Sequence, residues 1–172
     1  MNETREVLMQ PAAALENIYC VDTVYFEFEE DFVEDNVRCI PMIVRFKLDA
    51  CGIKLKLHEW CKMNLGERKQ LAEMACSTPH ETMHYRRFLR QLVMKRTGAT
   101  ATDLPAETAP DWANTHALPA ILLHKAAEFG WHTSLQQWRR ISNLQRFVLL
   151  KLCKPGHENV NFPKAYTEFG LA

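Results

Sequence analysis

An excess of charge of either sign is the first thing missing from this sequence. Its 21 lysines and arginines are matched by 21 aspartates and glutamates. A protein that grips a polyanion carries surplus Lys and Arg on the face it uses, so a nucleic-acid partner is not expected. Long apolar runs are absent too. No stretch approaches the roughly 18 residues that mark a membrane span, and the polar N-terminus shows no secretory h-region. The expectation is a cytoplasmic protein with no membrane partner. The six cysteines (Cys20, Cys39, Cys51, Cys61, Cys76 and Cys153) form no C-x-x-C. Their spacing suggests neither a disulfide framework nor the clustered thiolates of an iron–sulfur site. Free thiols in a reducing compartment are expected, with no obligate disulfide.

Glycine is scarce as well, at six residues, and none builds a phosphate loop. There is no P-loop and no G-x-G-x-x-G. Lys54-Leu55-Lys56 follows Gly52 but supplies no glycine-lined nest. No serine sits in a nucleophile elbow, and no close pair of carboxylates stands out. These absences leave no catalytic set and no expected cofactor.

What the sequence does hold is a repeat. Residues 39–74 and 117–152 align without a gap at a constant offset of 78, which places Pro41 on Pro119 and Gly52 on Gly130. Leu57 falls on Leu135, Trp60 on Trp138, Arg68 on Arg146 and Leu71 on Leu149. Each copy reads as three helical pieces. In the first, Ile40, Ile43, Val44, Leu48 and Cys51 recur at helical spacing, proline sits in the opening turn, and glycine ends the helix. A short middle piece carries Leu57, Trp60 and Met63. The third opens on a capping box, Asn64-x-x-Glu67 or Ser142-x-x-Gln145. Arg68 and Arg146 lie one turn before the shared leucine, half inside, and each then needs a partner. Asp49 is available to the first, and Glu128 lies near the second.

The fold class expected is all-α: one compact helical domain with an internal duplication of a three-helix unit and an extended N-terminal arm. Residues 1–14 are read as a flexible N-terminus and 15–172 as the domain. Within it lie repeat 39–74, a helix over 78–96, a linker over 97–116, repeat 117–152, and a C-terminal turn and short helix over 153–172. In the arm, 19–34, Tyr25, Phe26 and Phe28 alternate with Glu27 and Glu29 like a strand. The helix after the first repeat opens Thr78-Pro79-His80-Glu81, a capping box with proline at its first position.

Several constellations could carry chemistry. His80-Glu81-Thr82-Met83-His84 fits H-E-x-x-H, which on a helix places two imidazoles on one face beside a general base. Cys76 would enlarge the ligand set. Against this, Glu81 already has a capping task, and no spacing names the third ligand a hydrolytic zinc needs. No metal is therefore expected, and a zinc-dependent hydrolase through His80, Glu81 and His84 stands as a remote alternative. A small-molecule enzyme would need a pocket, and Arg45, Lys47 and Asp49 with His157 and Glu158 are its expected lining. For binding a protein partner, charge is segregated even though it cancels. Glu27, Glu29, Glu30, Asp31, Glu34 and Asp35 form an acidic strip, and Arg86, Arg87, Arg90, Lys95 and Arg96 a basic helix face. Segregated charge steers association and fixes register. Phe32, Trp112 and Phe162 are the candidate aromatic anchors. The polar tail segment His157, Glu158, Asn159 and Asn161 is the candidate for specific contact. Oligomeric state is left open.

Certain of these stretches also resemble a known family. Phe28-Glu29, Asp31-Phe32-Val33, Arg38-Cys39-Ile40-Pro41-Met42, Val44-Arg45-Phe46-Lys47-Leu48-Asp49 and Gly52-Ile53-Lys54-Leu55 resemble the nitrate reductase-associated protein family. So do Trp60, Lys151-Leu152 and Pro155-Gly156-His157-Glu158-Asn159, and the resemblance covers about residues 25–171. It implies a cyanobacterial-type accessory or maturation protein of nitrate assimilation. A member of that family accompanies the assimilatory nitrate reductase and is needed for making the active enzyme, through folding, cofactor insertion or stabilisation. Nitrate reductase itself is the implied partner. It carries the molybdopterin and the iron–sulfur cluster, which this chain need not hold. The implied role is chaperone-like, and handling of the molybdopterin cofactor is the alternative. The family pattern does not usually place histidine at both 80 and 84, and it assigns no catalytic residue that could be carried over.

Overall fold

Proline and glycine punctuate the chain where the repeat places them. The computed structural model describes residues 25–29, 39–105 and 107–172, except for the side chains of His157 and Glu158. The readings of 1–14, of Phe32 and of most of the 19–34 stretch lie outside the described residues. Helix α1 (Met42–Cys51) follows Pro41 and stops at Gly52, whose φ of 65° is left-handed. A Cβ there would meet Arg86 Nη1 at 3.2 Å and Leu104 O at 3.3 Å. The chain is therefore pinched at this stop as well as turned. Strand β1 (Ile53–Lys54) follows, then α2 (Leu57–Cys61) and α3 (Leu65–Glu73). Helix α3 opens on the expected box: Asn64 Oδ1 accepts from Glu67 N at 2.9 Å, and Glu67 Oε2 accepts from Asn64 N at 2.9 Å. Helix α4 (Pro79–Thr97) opens on the Thr78–Glu81 box and ends at left-handed Gly98.

The stretch read as a linker, 97–116, has two short ordered pieces. Strand β2 (Thr102–Asp103) pairs antiparallel with β1, Ile53 opposite Asp103 and Lys54 opposite Thr102. A 3-10 turn, Asp111–Ala113, buries Trp112. Pro119 then starts α5 (Ala120–Ala127), and Gly130 turns the chain at φ 72°. Helices α6 (Leu135–Arg140) and α7 (Asn143–Cys153) follow. Each begins with a serine box, Ser134–Gln137 and Ser142–Gln145. The tail runs through a 3-10 turn, His157–Asn161, into α8 (Phe162–Glu168). The fold is predominantly α-helical and forms one domain, with little sheet.

Helices α1 and α7 make its centre. α1 packs on α4 and α7, while α7 also packs on α5 and α8. Phe46 of α1 meets Phe147 of α7 edge to face, ring centroids 5.1 Å apart, and Trp112 closes the group 5.1 Å from Phe46. Such tilted contacts align ring edge with ring face and add to simple area burial. Tyr85 and Leu71 bring α4 and α3 onto α1, and both are fully buried. The Tyr85 hydroxyl donates to Leu71 O at 3.0 Å, so its polar tip is satisfied inside the core.

Residues 25–29 do not form the strand that their alternation suggested. Glu27–Glu29 is a single 3-10 turn on α8. Phe26 and Phe28 stack at 5.5 Å and both reach Phe169. A strand would also put these two residues on one face, but a lone strand leaves its backbone groups unpaired, whereas here the turn closes on itself through Glu29 N and Phe26 O at 3.0 Å. Glu168 fastens this turn from α8, accepting from Glu27 N at 3.0 Å and Phe28 N at 3.1 Å.

Candidate functional site

The H-E-x-x-H helix start does what its capping pattern asks. Glu81 Oε2 accepts from Ser77 N at 2.9 Å and Thr78 N at 3.0 Å. Those bonds hold its carboxyl below the usual range. His80 and His84 are exposed, whereas Cys76 is buried. Burial pushes the Cys76 thiol up to about 11, away from the thiolate a metal takes. Among the described residues no group of three His, Cys, Asp or Glu is placed to hold a metal ion.

The basic face of α4 is largely turned to internal use. Arg86 Nη1 donates to Cys51 O at 2.5 Å and Gly52 O at 2.9 Å, and its Nη2 reaches Asp103 Oδ1 at 2.7 Å. Arg90 pairs with the same Asp103 oxygen. Together they clamp β2 and the end of α1 to α4. Arg96 grips Glu67 through Nε at 2.9 Å and Nη2 at 2.6 Å, joining the end of α4 to the start of α3. Arg87 and Lys95 are the members of the set left exposed, Lys95 with its Nζ 3.7 Å from Glu67 Oε1. The acidic strip is corrected in the same way where it is described. Glu29 is buried, and its Oε1 accepts from Met42 N at 2.8 Å, a cap for α1 delivered from 13 residues away. Burial raises its pKa. Glu27 is exposed, and the other acids of the strip lie outside the described residues.

The aromatic anchors are corrected too. Trp112 and Phe162 are core residues, 5% and 0% exposed, so neither can insert into a partner. Asn161 is buried beside Phe162, and Asn159 is half-buried. Among the described side chains of this tail turn, the exposed one is Val160. Nothing in the polar pattern around it pointed to a valine.

Arg45, Lys47 and Asp49 part company because alternate residues on a helix diverge by about 200°. Lys47 points inward and donates to Ala72 O at 2.6 Å and Met74 O at 2.7 Å, closing the C-terminal end of α3. Burial lowers its pKa. Contrary to expectation, it lines neither of the two clefts that Asp49 borders. Arg45 and Asp49 do share a cleft. It has a volume of about 510 Å³ and an apolar floor of Ile40, Leu48, Ile53 and Leu55, with Leu57 and Leu104 at its edges. Arg45, Lys54 and Lys151 stand on its rim. Arg45 is oriented by its Nε bond to Ile40 O at 2.9 Å. Lys151 pairs with Asp49, Nζ to Oδ2 3.0 Å, and lies 5.0 Å over the Phe147 ring.

The same ion pair borders a second cleft of about 500 Å³, floored by Trp112, Phe147 and Leu150 and edged by Glu107, Asp111, Ile121 and Lys154. Sequence reasoning missed Lys151 and Lys154 as cleft residues. Their spacing with Phe147 and Leu150 marks one face of a helix, but only packing brings that face to Asp49.

No curated protein and no solved structure matches the chain. A family model does, over residues 25–169. Its span takes in both clefts and all the described helices, and by it the chain belongs to the conserved nitrate reductase-associated protein family.

Proposed function

We propose that this chain is a non-catalytic accessory protein that binds the nitrate reductase polypeptide, in the cytoplasm, while the active enzyme is being made. Family membership carries the partner's identity. One spatial observation supports the manner. Segments through which the sequence resembles the family supply nine of the eleven residues lining the Arg45 cleft: Cys39, Ile40, Arg45, Leu48, Asp49, Ile53, Lys54 and Leu55 from one stretch, with Lys151 joining them from about 100 residues on. An apolar floor under a cationic rim suits a protein segment, whose apolar side chains supply binding energy while its charges set register. The tail turn with His157, Glu158 and Asn159 is proposed as a second contact.

A tagged chain should capture the reductase polypeptide from an extract of nitrate-grown cells. Lys54→Glu with Leu57→Asp, both on the exposed rim, should reduce that capture at least tenfold with an unchanged helical spectrum. Combined alanine changes at His157, Glu158 and Asn159 should weaken it less. If the wild-type chain captures no reductase and instead binds molybdopterin directly, cofactor handling replaces this reading.

The duplication is likewise our inference. It rests on matched local geometry at the matched positions: prolines before α1 and α5, left-handed Gly52 and Gly130, and fully buried Trp60 and Trp138. Arg68 and Arg146 each donate to the carbonyl of the tryptophan eight residues back, at 3.2 and 3.1 Å, and lie 5.6 and 5.7 Å over its ring. Superposition of Cα atoms 40–74 on 118–152 tests it, and a fit that fails beyond the first helix overturns it.

A further inference from the structure

The two clefts are neighbours separated by one ion pair. Asp49 and Lys151 line both. Their side chains are 29% and 30% exposed, so the pair forms a ridge between the clefts. We propose that the clefts form a single two-pocket groove for a linear segment of the partner polypeptide, crossing over the Asp49–Lys151 pair with its acidic end at Arg45 and Lys54. This rests on the protein-binding reading above and adds the chemistry and direction of what is bound.

Size favours a chain over a compact ligand. A volume near 500 Å³ is roughly 8 Å across, so the two side by side span roughly 16 Å, about five extended residues. A small molecule would fill one cleft. An apolar side chain can enter each floor, onto Leu48 and Leu55 in one and onto Trp112 and Leu150 in the other. Backbone can be recognised at the ridge as well. An ammonium has three donors; Asp49 takes one of those of Lys151, and a second can reach a carbonyl of the crossing chain.

Charge supplies direction. Apart from the shared pair, the described lining of the first cleft adds Arg45 and Lys54 and no carboxylate. The second adds Glu107 and Asp111 against Lys154. A segment with its carboxylates toward the first cleft meets Arg45 and Lys54 there, whereas the reversed orientation forgoes that attraction and sets them against Glu107 and Asp111.

The test places a photoreactive benzoyl-phenylalanine at Leu57 on the first cleft, at Ile121 on the second, or at exposed Met83 on α4 as a control. Each full-length chain is irradiated with the reductase polypeptide it captures. Positions 57 and 121 should label one contiguous reductase segment, at sites within about eight residues, with carboxylates nearer the site labelled from 57. Met83 should label none of it. Lys54→Glu should weaken capture about tenfold, and changing the facing carboxylate to lysine should restore it. Labelling of distant segments, of this chain's own residues or of a second copy overturns the groove. So does capture without labelling from 57 or 121, which leaves the partner reading standing. Failure to capture the reductase at all overturns that reading and the groove with it.

Discussion

The segments 39–74 and 117–152 use the same local devices to opposite global ends. In the first, the leading helix α1 is the buried one, with seven of its residues inside, whereas α3 buries only Leu71 and Ala72. In the second, the closing helix α7 is central, while α5 buries Leu122, Lys125 and Ala126. Each segment therefore supplies a different member of its trio to the shared core. The residues common to both are those whose work is local: a proline entry, a glycine exit, a cap, a tryptophan, an arginine over it. The apolar faces diverge because their surroundings do.

Arg68 and Arg146 give the widest contrast. Arg146 is 5% exposed and donates to Trp112 O at 2.8 Å, Trp138 O at 3.1 Å and Ile141 O at 2.6 Å, and also to Asn143. Arg68 is half-buried and donates to Trp60 O and Cys61 O. For Arg146 the carboxylate partner expected from sequence is replaced by backbone carbonyls, and Asp49 goes to Lys151. Arg146→Ala strands several buried acceptors and should lower stability by about 3 kcal/mol, against about 1 kcal/mol for Arg68→Ala. Urea midpoints followed by circular dichroism measure both; equal losses would erase the contrast.

Lys47 and Lys125 occupy equivalent positions and are both buried. Lys47 closes the end of α3 through two carbonyls, while Lys125 pairs with Glu128 at 2.6 Å. Replacement of Lys47 by methionine should cost about 2 kcal/mol by freeing two buried acceptors. The same change at Lys125 loses one partly exposed ion pair and should cost at most about 1 kcal/mol. Thermal unfolding of the two variants side by side would show it, and a Lys125 variant that melts lower than the Lys47 variant would contradict the assignment.

The two glycines separate next. Both are left-handed, which alone costs an alanine about 1 kcal/mol. At Gly130 a Cβ meets nothing within 4 Å, whereas at Gly52 it meets Arg86 and the Leu104 carbonyl. Gly52→Ala should therefore cost about twice as much as Gly130→Ala, and indistinguishable denaturant midpoints would refute this.

The smallest effect lies in the caps. Glu67 titrates and Gln145 does not. The Arg96 hydrogen bond, then the Asn64 N–H, holds Glu67 below its ordinary 4.5. Its contribution is thus present above that unfolded value and lost as pH falls through the lower folded one. Amide exchange corrected for intrinsic rate should show the first turn of α3 opening on acidification while the first turn of α7 holds. Parallel loss at both would sink the distinction.

Much of this fold was legible because it is local. The boxes at Asn64, Thr78 and Ser142, the entries at Pro41 and Pro119 and the stops at Gly52 and Gly130 involve residues within a turn of one another. The Ser134–Gln137 box follows the same S-x-x-Q rule. What was not legible is set by distance along the chain. Glu29 caps a helix that starts 13 residues on, and Asp103 gathers Arg86 and Arg90 from the helix before it. Both groups look like solvated surface in sequence, since a charge pattern does not say which charges meet. The candidate site was half legible for the same reason. Arg45 and Asp49, expected as lining, share a cleft; Lys47, expected beside them, points inward from the opposite side of α1, and Lys151 gains its place only from its pairing with Asp49.

The division of the core between α1 and α7 has a consequence during synthesis. Met42 leaves the ribosome about 100 residues before Asn143. At roughly 5–20 residues per second, that separates the two helices by on the order of 5–20 s. For that time Phe46 lacks Phe147, and for roughly the first two thirds of it Trp112 as well, so the apolar face of α1 is at first sheltered by α3 and α4. The clamp of Arg86 on Cys51 O and Gly52 O is complete by residue 86, so it can hold the nascent first half together while the second is still being made. A chain that helps another protein reach its active form thus passes through an unfinished state of its own, in which the interior is open on one side until α7 arrives.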